Sequence, residues 1–170
     1  MTTKQNGFTL IELIMVIVIL GILSAFSIPK FFDVSQKSIE AKNKSVASSY
    51  KSSIYIARSK LLVTIGIGAA DDLKVYDTPG RYGTIDFNQY GWPSQSYIAA
   101  AESNPTTNNS GDCTSLWTAL MQTSGIEIST SNDKDYQIKY VTSAICQYYI
   151  APDYSFGFEY NSNTGAVIII

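Results

Sequence analysis

The sequence predicts an α+β fold, in which a long N-terminal helix packs on a C-terminal antiparallel β-sheet. An apolar run occupies residues 8–28, an apolar stripe with helical spacing extends over residues 39–61, and four strand-like runs follow residue 135. The chain has 170 residues, which corresponds to about one domain with an additional segment.

The first element is an apolar segment that is long enough to cross a membrane. Residues 8–28 contain a single charged residue, Glu12, and as a helix they would extend about 32 Å, compared with roughly 30 Å for the hydrocarbon core of a bilayer. A cleaved signal peptide is disfavoured, because the run exceeds the usual core of about 7–15 apolar residues and no A-x-A-like site follows it. A plain membrane anchor is the alternative, but it leaves Glu12 unexplained, because an unpaired carboxylate in a spanning helix is costly.

The second element is an amphipathic helix over residues 31–62. One helical stripe contains Ile39, Val46, Tyr50, Ile54, Ala57 and Leu61. No glycine or proline lies between residues 31 and 65, so we predict one helix that continues from the apolar segment with a bend at Pro29. A small domain cannot cover such a helix, so one half should pack on a globular head while the other half protrudes.

The C-terminal half is predicted to form that head. Residues 69–110 are rich in turn-forming residues and should be irregular, with one short strand over residues 96–101. Asp112 is predicted to cap a short helix over residues 113–123, which Gly125 closes. An antiparallel meander across the long helix should consist of residues 136–141, 145–150, 155–160 and 166–170.

The composition argues against several classes of function. The chain has no histidine, which removes the commonest general base and most zinc sites, and it has no glycine-rich phosphate-binding motif. A net charge of −2 argues against nucleic acid as the main partner. We therefore expect no enzymatic activity, no catalytic residue, no metal and no cofactor. Cys113 and Cys146 are the only cysteines; in an exported protein the even number favours a disulfide, and two buried free thiols are the alternative.

The N-terminal sequence resembles the processing site of type IV pilins and pseudopilins. The similarity lies in the string Gly7-Phe8-Thr9-Leu10-Ile11-Glu12-Leu13, which follows a short polar leader containing Lys4. In that family a prepilin peptidase of the inner membrane cuts after the glycine and N-methylates the new N-terminal residue. The resemblance implies cleavage after Gly7 and N-methylation of Phe8. It also implies that Glu12 is an assembly residue, whose carboxylate offsets the Phe8 amine of its own chain or of a neighbour.

The resemblance further implies a type IV pilin fold with four regions. These are a leader peptide at residues 1–7, a transmembrane and polymerisation helix at 8–29, a stem helix at 30–65 and a globular head at 66–170. Gly21 and Pro29 match the positions at which the family's helix loosens or bends. Cys113 and Cys146 resemble the pair that bounds the C-terminal region of many major pilins.

Charge is distributed unevenly along the chain. Residues 30–60 carry a net charge of +5, and residues 61–170 carry −7. Two interpretations stay open: complementary contacts between stacked subunits, or lysines that solvate an exposed helix face.

The function implied by the resemblance is that of a major structural subunit of a bacterial type IV pilus, a homopolymer used in adhesion or motility. Its partners would be the inner membrane before assembly, the prepilin peptidase and the assembly platform, and the finished filament would be extracellular. A type II secretion pseudopilin or a minor or competence pilin is the alternative within the family, and a membrane-tethered binding module is the alternative outside it. The strings Cys-x-x-Leu-Trp at 113–117 and Tyr-Asn-x-x-Thr-Gly-x-Val at 160–167 resemble mannose-sensitive haemagglutinin pilins.

Overall fold

The computed structural model describes residues 7–78, 83–97, 101–122, 124–151 and 154–170. The chain divides into two compact units, Met1–Glu40 and Ala41–Ile170. In chain order the elements are α1 (Leu10–Thr64), β1 (Ala70–Lys74), β2 (Thr84–Phe87), β3 (Pro93–Gln95), α2 (Ser110–Leu120), β4 (Ile128–Ser129), β5 (Tyr136–Thr142), β6 (Ile145–Ile150), β7 (Gly157–Asn161) and β8 (Ala166–Ile169). The predicted α+β class is confirmed.

Helix α1 confirms the predicted long N-terminal helix. It has 55 residues, includes Pro29, and buries one stripe in its C-terminal part. The stripe consists of Asn43, Val46, Ala47, Tyr50, Ile54, Ala57 and Leu61, and thus contains five of the six predicted residues, while Ile39 is half-buried. Asn43 was not predicted because it is polar. Its amide donates to the Gly157 carbonyl at 2.8 Å and its oxygen accepts from the Tyr136 hydroxyl at 3.2 Å, so both ends are paired inside the core.

The strands of residues 41–170 form two sheets. β5, β6, β7 and β8 form the predicted antiparallel meander, and β4 extends it by pairing in parallel with β5. β1, β2 and β3 form a separate antiparallel sheet that the sequence did not predict. Its three strands have only three to five residues each and contain aspartate, proline and glutamine, so they lack the apolar alternation that marks a strand.

The strand predicted over residues 96–101 is wrong. The nearby strand, β3, ends at Gln95, and Ser96, Tyr97 and Ala101 have no strand conformation, while residues 98–100 lie outside the described residues. The next strand prediction, 155–160, is displaced by two residues at its start, because β7 begins at Gly157.

The predicted cap of the short helix is also wrong. Asn109 is the N-cap of α2, and its side-chain oxygen accepts from the Asp112 backbone N–H at 3.1 Å. The Asp112 carboxylate accepts in return from the Asn109 backbone N–H at 3.2 Å. This reciprocal pair is a capping box, and it places the helix start at Ser110 rather than Cys113. The helix ends at Leu120, before Gly125, and Thr123 lies outside the described residues.

The core of residues 41–170 is an aromatic cluster centred on Tyr50. Its ring centroid lies 5.3–5.7 Å from the centroids of Trp117, Tyr148, Phe158 and Tyr160. The buried hydroxyls are paired: the Tyr50 and Tyr148 oxygens are 3.1 Å apart, and Tyr160 donates to the Pro93 carbonyl at 2.7 Å. Large aromatic rings, whose tyrosine hydroxyls are paired, therefore hold the C-terminal part of α1 against the five-stranded sheet.

A disulfide joins α2 to β6 within this core. Cys113 and Cys146 are fully buried and bonded, with Cα atoms 5.7 Å apart. The predicted pairing is therefore present, and the alternative of two free thiols is wrong. The bond connects residues separated by 33 positions, which corresponds to about 3.5–4 kcal/mol in the chain-entropy description of crosslinks.

Candidate assembly site at the N-terminal helix

The first turn of α1 is closed by a reciprocal pair between Thr9 and Glu12. One Glu12 carboxylate oxygen accepts from the Thr9 backbone N–H at 2.9 Å and from its hydroxyl at 2.7 Å. The Glu12 backbone N–H points back to the Thr9 hydroxyl at 3.4 Å. This is a capping box, and its carboxylate also complements the positive end of the helix dipole. The T-x-x-E spacing of Thr9 and Glu12 is typical of this cap, although Thr9 was not among the predicted site residues.

Gly7 and Phe8 lie immediately before this capped turn. Neither residue is helical, and both are exposed, with 85% of the Phe8 surface accessible. No described atom lies within 4 Å of the position where a Gly7 side chain would begin. The Gly7–Phe8 peptide bond is therefore on accessible, non-helical backbone. Lys4 and the rest of the predicted leader lie outside the described residues.

The N-terminal part of α1 exposes apolar side chains on every side. All residues from 10 to 34 are exposed, and the exposed fractions reach 74% at Phe26 and 79% at Phe31. By length and composition α1 is a helix that could cross a membrane. Such a surface requires a partner on all sides, because a water-facing helix normally keeps one polar face.

Polar groups inside this apolar stretch are satisfied by the helix itself. The Ser24 and Ser27 hydroxyls donate to the carbonyls of Leu20 and Leu23 at 2.7 and 2.9 Å. The helix can therefore enter an apolar environment without leaving these hydroxyls unpaired.

The remaining predicted residues lie elsewhere. Gly21 is inside the helix with open space around it, and Pro29 is also inside the helix, where its missing N–H removes one backbone bond. Their role in bending stays a prediction. Gly7, Phe8 and Glu12 are together at the first turn, whereas Cys113 and Cys146 serve the core of residues 41–170.

The long N-terminal helix and the C-terminal antiparallel sheet form an α+β architecture like that of type IV pilins. Residues 2–28 match the family model described as the prokaryotic N-terminal methylation motif. The matched residues include Gly7, Phe8 and Glu12.

Curated relatives extend this likeness beyond the motif. The chain is 34% identical over 112 residues to the "Type IV major fimbrial protein FimA" of Dichelobacter nodosus, which covers 66% of this chain and 63% of that protein. It is 43% identical over 54 residues to the "Type IV narrow pilus major component PilA5" of Thermus thermophilus, covering 32% of this chain and 47% of that protein. The chain thus spans less than two thirds of the length of these homologues. No solved structure gave a significant match.

Proposed function

We propose that this chain is a major structural subunit of a bacterial type IV pilus, polymerised through the N-terminal part of α1. The observation that carries the proposal is the exposed, largely apolar surface of residues 10–34, which begins at the capped turn within the methylation motif. Copies of the same helix, packed side by side, supply an apolar surrounding on all sides. The names of the fimbrial homologues support the same role.

Processing is proposed at the Gly7–Phe8 bond. A peptidase at the membrane surface needs an accessible bond with a small residue, and exposed Gly7 allows the close approach of another backbone. Cleavage leaves Phe8 with a free α-amino group, which is cationic near neutral pH, and this amine is the proposed site of N-methylation. Residues 1–7 are the proposed leader, 8–29 the polymerisation helix, 30–65 the stem and 66–170 the head.

Glu12 is proposed to act in assembly rather than in chemistry. In the uncut chain the Glu12 carboxylate accepts hydrogen bonds from Thr9. Cleavage after Gly7 would create the Phe8 amine directly before this turn. The carboxylate then offsets an amine of its own chain or of a neighbouring copy, because an unpaired charge in an apolar bundle is expensive. Gly21 and Pro29 are proposed to give the helix the local freedom that packing in a filament requires.

The partners and localisation follow from this role. The precursor resides in the inner membrane, where the prepilin peptidase processes it and the assembly platform receives it. The homopolymeric filament is extracellular, and no enzymatic step is assigned to the subunit.

Two narrower assignments depend on different features. A pseudopilin, or a minor or competence pilin, shares the same N-terminal site and differs in abundance within the filament. The mannose-sensitive haemagglutinin subtype rests on the strings at 113–117 and 160–167 alone, since the homologues named above are fimbrial and narrow-pilus proteins.

Mass spectrometry of filaments sheared from cells that express this chain tests the proposal. We expect the main component to begin at N-methylated Phe8 and to weigh two hydrogens less than the fully reduced chain, because the disulfide is closed. A chain found only in the membrane fraction would refute the major-subunit role and favour the tethered module. A low-abundance component of filaments built from another subunit would instead support the minor-pilin assignment.

A further inference from the structure

A cavity of about 250 Å³ lies where four loops of residues 41–170 meet. They are the turn after β2, the loop before α2, the β5–β6 turn and the β7–β8 turn. Ten described residues line it, and nine of them have a polar side chain. None of those lining residues is charged. The cavity is therefore polar but electrically neutral.

Hydrogen bonds within the chain hold the cavity walls in place, but some polar groups of the lining take no part in them. Asn88 is 2% exposed; its amide donates to the Ser162 carbonyl at 2.6 Å and its oxygen accepts from the Tyr90 N–H at 3.0 Å. Thr107 is 1% exposed, donates to the Ser94 carbonyl at 2.7 Å, and its own carbonyl accepts from the Ala144 N–H at 3.0 Å. These buried bonds join the turn after β2 to the β7–β8 turn and the loop before α2 to the β5–β6 turn, so the shape of the cavity is preformed.

Ser162 contributes a hydroxyl with no partner. The residue lines the cavity, is 1% exposed, and its Oγ makes no hydrogen bond among the described residues. Its backbone is held firmly, since the Ser162 N–H donates to the Ala144 carbonyl at 2.8 Å. A buried hydroxyl without a partner is unfavourable, and a polar ligand at this position would remove that penalty.

The rim adds an aromatic surface and further polar groups. Tyr90 lines the cavity and is 49% exposed. Ser143 and Asn163 also line it and have no side-chain hydrogen bond within the described part of the chain. Hydroxyls and amides both donate and accept, which matches a ligand whose own groups do both.

We propose that this cavity binds one neutral sugar residue. Sugar hydroxyls pair with hydroxyls and amides, and the apolar C–H face of a pyranose packs on an exposed aromatic ring such as Tyr90. The volume equals that of about eight water molecules at ~30 Å³ each, which suits a single ring. The lack of a lining cation disfavours phosphate and carboxylate ligands, and the polar lining disfavours lipids.

Saturation-transfer NMR on the full chain tests the proposal, in a detergent without a sugar head group. The probes are methyl glycosides of the neutral hexoses and N-acetylhexosamines, with glucuronate as the charged comparison. We expect transfer to ring protons of at least one neutral glycoside and none to glucuronate. A cavity that holds only water gives no transfer from any probe, and that result would overturn the proposal, as would equal transfer to glucuronate.

Two substitutions locate the binding. Ser162→Ala should weaken the affinity for the responding glycoside about fivefold while leaving the unfolding midpoint of the sugar-free protein unchanged or higher, because no bond within the chain is lost. Tyr90→Ala should weaken it five- to tenfold. Tyr55→Ala is the matched control, because Tyr55 is 47% exposed and lies outside the cavity. Wild-type affinity in both cavity variants would place the sugar elsewhere and reject the assignment.

Discussion

The two parts of α1 share one type of backbone but differ in what their side chains meet. Every described residue from 10 to 38 is exposed, whereas residues 41–64 bury seven side chains in a single stripe. Within the first part, residues 10–28 are apolar around the whole circumference apart from Glu12, whereas the second part is apolar on one face with serine and lysine on the other.

This difference shows that the distribution of apolar residues around the helix indicates what the helix packs against. An apolar stripe on one face of a helix needs one packing surface, and here Trp117 and the five-stranded sheet provide it. An apolar surface on all sides has no such partner within the chain and must be surrounded by lipid or by other copies. Substitutions in the first part should therefore affect assembly, and substitutions in the second should affect folding.

The largest expected effect is at Glu12. Glu12→Ala should abolish filaments while cleavage at Gly7 continues, because the apolar surface is retained but the charge that offsets the amine is lost. Electron microscopy of sheared material and the mass of the membrane-bound chain measure the two outcomes. Asp33→Ala, which removes an exposed carboxylate from the same helix, should leave filaments intact. Normal filaments with Glu12→Ala would contradict the proposed role of Glu12 in assembly.

A large effect on folding is expected at Tyr50. Tyr50→Ala removes a fully buried ring that contacts four others, and we expect the free energy of unfolding to fall by about 3–5 kcal/mol. Tyr50→Phe keeps the ring and loses only the hydroxyl contact with Tyr148, so its effect should be about 1 kcal/mol. Urea unfolding followed by near-UV circular dichroism measures both. If Tyr50→Ala and Tyr50→Phe lowered the free energy of unfolding equally, packing of the ring would not be the source of this stability.

A smaller, pH-dependent effect is expected at Asp86. Burial raises the pKa of this carboxyl from 3.8 to about 6, although backbone N–H groups of Asp72 and Tyr97 donate to it at 2.7 and 3.2 Å. The nearby carboxylates of Asp72 and Asp71 raise the pKa further. The folded pKa lies above the unfolded one, so stability is greatest below pH 3.8 and is lost as the pH rises through about 6.

The loss at Asp86 should be on the order of 2–3 kcal/mol between pH 4 and about 7. Unfolding free energies measured across that range provide the check, with Asp86→Asn as the comparison. This variant cannot ionise, and its profile should be flatter than that of the wild type. Parallel profiles would assign the pH dependence to other groups.

The smallest effect distinguishes packing from backbone strain. Gly165 and Gly125 have similar backbone angles, with φ of +72° and +66°, but a side chain at Gly165 would overlap the Trp92 ring whereas Gly125 has open space. Alanine at either position should cost about 1–2 kcal/mol from the left-handed backbone. Gly165→Ala should lose a further 1–2 kcal/mol or so, because Trp92 must move away from its contact with Arg58.

Thermal unfolding of the two glycine variants side by side isolates this difference. The Trp92 ring also lies edge-on to Tyr55, with centroids 5.7 Å apart, so its displacement should change the near-UV signal in Gly165→Ala only. Identical midpoints for the two variants would show that Trp92 adapts without loss.

Some features of the fold could be predicted because they are local patterns. The stripe from Val46 to Leu61, the meander from β5 to β8 and the cysteine pair all follow from spacing or count. The sheet of β1, β2 and β3 could not be predicted, because its strands are short and polar and are held by distant bonds such as Asp86 to the Asp72 N–H. The cap of α2 was misplaced by three residues, since Asn109 and Asp112 are both acceptable caps and only the structure shows that they act together.

The sequence by itself determined the N-terminal part of this protein. An apolar helix with one acidic residue after Gly7-Phe8 can be predicted without any long-range contact. The tertiary structure decided what residues 41–170 contain. It paired Asn43 with Gly157 and Tyr136 inside the core, and it brought Asn88, Thr107 and Ser162 from three separate loops to one neutral cavity. The physical reason is range: helical periodicity acts over a few residues, whereas the partners of a buried polar group are chosen by the folded chain as a whole.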